Sequence, residues 1–196
     1  IQNVARAVDN IVSSSHLYGG TYNQFKNNLS EMGLEVRFVD PTDPENFRAA
    51  TDDKTRAYFG ETLPNPRLQV FPIKEVSEIG RSLGIPLIVD NTAAPVFCRP
   101  FDHGAAVTTY STTKYIGGHG TSIGGLIIDG GNFDWEEAGV ERQPSLNTPD
   151  PCYNGVVWTE ASKRMGHIAY IMKARTTLLR DLGGAMSPFN AWAFIQ

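Results

Sequence analysis

The residue types most able to do chemistry in this sequence gather in Tyr110–Gly120, YSTTKYIGGHG. Lys114 follows three hydroxyl side chains, Ser111, Thr112 and Thr113, and precedes Gly117–Gly118, a pair that lets backbone approach a ligand closely. A lysine amine that is partly desolvated loses its proton and becomes a nucleophile able to form an imine. Ser111 and Thr113 could at the same time donate hydrogen bonds to a phosphate. Taken alone, the segment reads more simply as a surface lysine in a glycine-rich loop. Its company argues otherwise.

LIVDNT (Leu87–Thr92) places Asp90 at the end of an apolar run, 24 residues before Lys114. A carboxylate buried there needs a cationic partner, and a protonated pyridine nitrogen is one; a turn or helix-capping aspartate is the plain alternative. HLYGGTYNQF (His16–Phe25) sets Tyr18 beside two glycines, where its ring could stack on a flat cofactor or merely pack in a tight turn. ETLPNP (Glu61–Pro66) presents Asn65 rigidly between two prolines, either toward a ligand or as part of a structural turn.

These segments need a frame. Short β-branched runs recur at Asn10–Ser14, Val36–Asp40, Arg56–Gly60, Leu87–Asp90, Val107–Tyr110 and Leu126–Asp129. Several are apolar on consecutive residues, as strands buried on both faces of a parallel sheet must be. Helical patterns lie between them. Thr21 and Gln24 have capping-box spacing and open a helix that Gly33 stops. Pro72 sits in the first turn of a second helix, with Ile73, Val76, Ile79 and Leu83 on one face and Gly84 at its end. Phe133–Pro151 has little periodicity and reads as loop-rich. A long helix then runs through Ile168, Ile171, Met172, Leu178, Leu179 and Leu182 to Gly183, and Pro188 opens another. The alternation predicts an α/β doubly wound sheet. In such sheets ligands sit beyond the carboxyl ends of the strands, where Ser13–Ser15, Asp90–Thr92 and Tyr110–Lys114 lie.

Bulk properties narrow the classes. With 196 residues, 41% hydrophobic and 19% charged, the chain suits one globular domain and not a disordered one. A net charge of -4 gives no electrostatic reason to expect nucleic acid or an anionic membrane as partner. No apolar stretch approaches the roughly 18 residues of a membrane span. Cys98 and Cys152 show no metal-ligand spacing and read as free packing thiols of a cytoplasmic protein, so neither a disulfide nor a metal is expected. His16, His103 and His167 read as structural or solvent-facing. Ile1 in place of a Met, and the apolar ending SPFNAWAFIQ, read as cut ends.

Together, and in this order, YGGT, ETLPNP, DNT and YSTTKYIGGHG resemble the Cys/Met-metabolism family of pyridoxal-phosphate enzymes, most of all its O-acetylhomoserine sulfhydrylase branch. The resemblance covers nearly the whole chain. It implies the large domain of fold-type I enzymes, a three-layer α/β/α sandwich with a mainly parallel sheet. Residues 1–184 would be the central part of that cofactor-binding domain, and 185–196 the start of a helix leading to a C-terminal domain. It implies pyridoxal 5'-phosphate held as an imine on Lys114, which later shuttles protons between substrate carbons. By the same resemblance Asp90 pairs with the pyridine nitrogen, Tyr18 stacks over the ring and Asn65 approaches its phenolic oxygen. Ser111 and Thr113 lie near the phosphate, Thr92 lies against the ring, and Thr112 points away.

The implied reaction is γ-replacement on O-acetylhomoserine, with sulfide or a thiol displacing acetate to give homocysteine or methionine. The implied assembly is a homotetramer acting on a small amino-acid substrate. Family chains are about twice as long, and their remaining parts supply a phosphate cradle and the arginine for the substrate carboxylate, so these residues alone would be inactive. Alternatives are a cystathionine γ-synthase or γ-lyase of the same family, or a non-catalytic truncated domain. An unrelated nucleotide-binding domain fits poorly, because no GxGxxG or GxxxxGK[ST] follows the first strand. Val8, where the family usually has Gly, and Pro64 depart from the family pattern.

Overall fold

Consecutive apolar residues in a strand send their side chains to opposite faces of a sheet, so such a strand must be covered twice. The computed structural model, which describes residues 1–196, covers Ile11–Val12, Ala57–Phe59 and Leu87–Val89 on both faces but leaves Leu126, Ile127 and Ile128 40–51% exposed. Its strands are β1 (Asn10–Ser14), β2 (Glu35–Val39), β3 (Thr55–Glu61), β4 (Leu87–Asp90), β5 (Val107–Ser111) and β6 (Gly125–Asp129). They form one sheet in the order β2-β1-β3-β4-β5-β6, with every neighbouring pair parallel except β5 and β6. Ile11, Ala57, Phe59, Ile88 and Val107 enter one buried cluster; Val12, Tyr58, Leu87 and Val89 enter a second.

The helices are α1 (Gly19–Asn23, extended by the wider turns of Gln24–Leu29), α2 (Glu45–Ala49), α3 (Ile73–Ser82), α4 (Trp135–Arg142), α5 (Pro144–Asn147), α6 (Trp158–Ser162), α7 (Ala169–Lys173, extended by Ala174–Leu179), α8 (Arg180–Leu182) and α9 (Pro188–Ile195). Phe25, Leu29, Trp135, Trp158 and Tyr170 cover the first cluster. Phe47, Ile73, Val76 and Ile79 cover the second. The result is a three-layer α/β/α sandwich with a mainly parallel sheet. No helix is long and apolar enough to cross a membrane. Both cysteines are free.

Two local expectations change, and one departure from the family pattern gains a physical reason. The first helix starts at Gly19, with no side-chain cap, so the Thr21–Gln24 box is not its origin. Tyr18 occupies the cap position; its carbonyl accepts from Tyr22 N–H at 3.0 Å, and its own N–H is held by Glu61. The span read as loop-rich contains α4 and α5. Asp134 caps α4 by accepting from Glu136 and Glu137 N–H, but Gly139, at φ 70 and ψ -179, breaks the helix and hides its periodicity. Val8 sits in the left-handed region at φ 74, opposite Gly33 at φ 80, whose carbonyl accepts from Val8 N–H at 2.8 Å. A β-branched residue is strained there, which is a physical reason for a glycine at this position.

At the amino ends of the strands a buried ion pair fastens the fold. Arg56 Nε lies 2.8 Å from Asp9 Oδ1, with both side chains only 11% exposed. Arg56 also donates to the carbonyls of Asp53 and Glu141, tying β3 to α4.

Candidate functional site

Because β1, β3, β4 and β5 run parallel, their carboxyl ends share one edge of the sheet, and the loops leaving them form an open cleft of about 1070 Å³. Clefts of this size accept a small cofactor with its substrate. All seven residues singled out in the sequence line it: Tyr18, Asn65, Asp90, Thr92, Ser111, Thr113 and Lys114.

Asp90 ends β4 half-buried. Its Oδ1 accepts from Thr92 N–H at 2.8 Å and its Oδ2 from the Thr109 hydroxyl at 3.2 Å. Both oxygens are held in place, yet no cation of the chain pairs with them. Thr92 Oγ accepts from Ser111 N–H at 2.8 Å and so fixes the start of the lysine loop to the end of β4. The two hydroxyls expected near a phosphate differ. Thr113 Oγ accepts from Gly124 N–H at 3.0 Å, whereas the Ser111 hydroxyl has no protein partner. Thr112 is 1% exposed and turned inward, as expected of the middle residue.

The lysine loop is tightly wound. Lys114 N–H donates to Ser111 C=O, and Gly117 and Gly118 N–H donate to the carbonyls of Thr112 and Lys114. The Lys114 side chain is exposed and makes no hydrogen bond or ion pair, so the partial desolvation expected of it is not supplied by these residues. Tyr18 presents its ring half exposed. Asn65 is exposed in its loop, next to a cis bond to Pro66.

The sequence reading missed Glu61. It ends β3 directly beside Asp90, its register partner on β4, and it is 7% exposed. Both its oxygens accept from Tyr18 N–H, at 2.9 and 3.0 Å. Burial pushes its carboxyl up to about 7, the Tyr18 N–H opposes this, and the neighbouring Asp90 adds to the rise. The signal was available: Glu61 closes the run AYFG just as Asp90 closes LIV. One residue earlier, any side chain on Gly60 would run into the Phe71 ring, which packs flat over the strand. His16, read as structural, is buried two residues before Tyr18, and its Nε2 lies 2.8 Å from the Arg67 guanidinium. His119 is exposed.

This donor set suits a flat, aldehyde-bearing ring with a cationic nitrogen and an anionic tail. An unpaired, immobilised carboxylate, an amine free of protein partners, an unpartnered hydroxyl and an open tyrosine ring face one cleft.

Comparison with known proteins agrees. The model of the Cys/Met metabolism PLP-dependent enzymes matches residues 1–196. Among curated proteins, the chain is 48% identical to an O-acetyl-L-homoserine sulfhydrylase of Leptospira meyeri, over 99% of this chain and 45% of that protein. It is 46% identical to the homocysteine/cysteine synthase of Saccharomyces cerevisiae, over 100% of this chain and 44% of that one. The chain thus spans less than half the length of these relatives. A crystal structure of a protein taken to be an O-acetylhomoserine (thiol)-lyase from Campylobacter jejuni, solved with a pyridoxyl-lysine monophosphate, superposes with a TM-score of 0.90. It is 34% identical, and the match covers 99% of this chain and 47% of that one. With a family model matched along its whole length and relatives near half identity, the chain belongs to the Cys/Met metabolism family of pyridoxal-phosphate-dependent enzymes.

Proposed function

We propose that the protein holds pyridoxal 5'-phosphate on Lys114 and catalyses γ-replacement on O-acetylhomoserine, with sulfide or a thiol as the incoming group and homocysteine or methionine as product. The observation that carries this reading is the meeting of Lys114 with an unpaired Asp90 and an unpartnered Ser111 hydroxyl in one cleft. The names of the most similar relatives support the substrate.

When bound, the cofactor supplies an electron sink that makes carbanions at substrate carbons accessible. The chain's own residues do the rest. Asp90, fixed by Thr92 and Thr109, would hold a positive charge on the ring nitrogen; a mobile carboxylate would do so less well. Ser111 would donate to the phosphate. Tyr18 would cover one face of the ring and keep water from it. Asn65 would approach the phenolic oxygen, and Thr92 would lie against the ring. Lys114 Nζ would hold the cofactor through its aldehyde and, once freed, would carry protons from and back to both Cα and Cβ of the substrate. A homo-oligomer in the cytoplasm, tetrameric by the family resemblance, is the assembly we infer.

The test is borohydride treatment of the full-length protein with pyridoxal phosphate, followed by peptide mass spectrometry. The adduct is expected on Lys114; a different lysine, or none, would end this reading. Sulfide and cysteine compared as co-substrates then separate a sulfhydrylase from a cystathionine synthase.

A further inference from the structure

Two contacts tie the turn that carries Tyr18 to the loop that carries Asn65, and each favours a deprotonated group. The first is Tyr18 N–H on both carboxylate oxygens of Glu61. The second joins Arg67, two residues past Asn65, to Nε2 of His16, two residues before Tyr18. A guanidinium only donates, so Nε2 must be the bare nitrogen, and His16 must be neutral with its proton on Nδ1. His16 is 8% exposed, and its Nδ1 has no partner. A charged imidazolium there would set an N–H donor against a guanidinium.

We propose that His16 and Glu61 are positioning residues that clasp the Tyr18 turn onto the Asn65 loop, and that the clasp closes fully only when His16 is neutral and Glu61 ionised. The clasp sets the orientation of Tyr18 toward the cleft; its effect on the cofactor rests on the cofactor reading given above. A proton on either residue weakens its contact. Protonated His16 repels Arg67, and protonated Glu61 gives Tyr18 N–H an uncharged acceptor, which is the weaker one. The surrounding charges are few. Asp40, from the end of β2, feels both His16 and Arg67, and so moderates the repulsion. Asp90 stands beside Glu61, and Lys114 lines the same cleft. Burial, and Asp90 after it, push the Glu61 carboxyl up to about 7, so Glu61 changes charge near neutral pH.

The test uses the full-length protein freed of cofactor, with Arg67→Met, His16→Gln and Glu61→Gln variants. Arg67 is exposed, so Arg67→Met removes one contact without disturbing the core. Hydrogen exchange of the backbone amides of residues 16–22, compared with the parent at each pH, reads the clasp directly. Exchange is expected to be faster in Arg67→Met than in the parent at pH 8. His16→Gln keeps an acceptor opposite Arg67 and is expected to retain protection there. Equal exchange in parent and Arg67→Met would overturn the clasp, whatever the cleft binds. A pyridoxal phosphate titration forms the second arm. Parent affinity is expected to be about tenfold weaker at pH 6 than at pH 8, with a smaller ratio in Glu61→Gln. An undiminished ratio in that variant, alongside altered exchange, would leave a clasp that does not serve the cofactor. An absent Lys114 adduct in the parent would instead refute the cofactor reading.

Discussion

Replacing Val8 by glycine is expected to stabilise the protein, although it deletes a hydrophobic side chain. Val8 is held at φ 74, where the Cβ of an L-residue crowds its own carbonyl, and its N–H is anchored to Gly33 C=O at 2.8 Å. The left-handed conformation costs roughly 1–2 kcal/mol, toward the upper end for a β-branched residue. The side chain is 78% exposed, so only about a fifth of the burial energy of a valine is lost, about 0.5 kcal/mol. The greater freedom of glycine in the unfolded chain takes back about 0.5–1 kcal/mol. The net gain is about 0.5–1 kcal/mol, or roughly 1–4 °C in the melting temperature of a protein of this size or somewhat larger. Thermal unfolding of the parent, Val8→Gly and Val8→Ala would measure it. Alanine keeps the Cβ that carries the strain, so it should recover only part of the gain. A lower melting temperature for Val8→Gly, or an alanine variant as stable as the glycine one, would show that strain at this turn is not what limits it.

Three further outcomes are expected. Arg56→Met leaves Asp9 buried without its partner and should cost about 3–5 kcal/mol in urea unfolding; a loss under about 1 kcal/mol would mean that Asp9 is hydrated in the variant. Lys173 donates to the carbonyls of Asn3 and Ser145, and its burial pulls its amine from 10.5 down to about 8. Below that range both folded and unfolded chains carry the proton; above it the folded chain sheds the proton first, so this group adds stability as pH rises from about 8 to 10.5, by roughly 3 kcal/mol in all. Lys173→Met should remove that slope, and an unchanged slope would assign it to other groups. Finally, Ser111→Ala should weaken pyridoxal phosphate binding about tenfold, and Thr113→Ala less, because the Thr113 hydroxyl is already committed to Gly124. Equal losses in an affinity titration would contradict this division of roles.

β1, β3 and β4 were legible because burial on both faces writes itself as consecutive apolar residues, and β6 carries the same pattern although Leu126, Ile127 and Ile128 are exposed; all six strands lie within a residue or so of their expected bounds. The cleft was legible for a related reason. Parallel strands bring their carboxyl ends to one edge, so Asp90 and the hydroxyls ahead of Lys114 had to converge once the sheet was recognised. What escaped depends on register and on contacts across the chain. Glu61 stands beside Asp90 only because β3 and β4 pair Gly60 with Val89. The first helix starts at Gly19 because a carboxylate 43 residues away holds Tyr18 N–H. The His16–Arg67 contact spans 51 residues. Helix α4 went unseen for the opposite reason, a purely local one: Gly139 interrupts it before a period can repeat.

The flat seat of Phe71 against Gly60 constrains which sequences this fold can accept. In a library randomised at position 60, glycine alone should survive selection for folding. Smaller residues at position 71 should let alanine or serine in, so the two positions can change only as a pair. Because Glu61 is the next residue along, such a paired exchange would shift the strand end on which the Tyr18 turn rests. Sequence drift at a fully buried, chemically silent position can therefore reach the cleft without altering any residue that lines it.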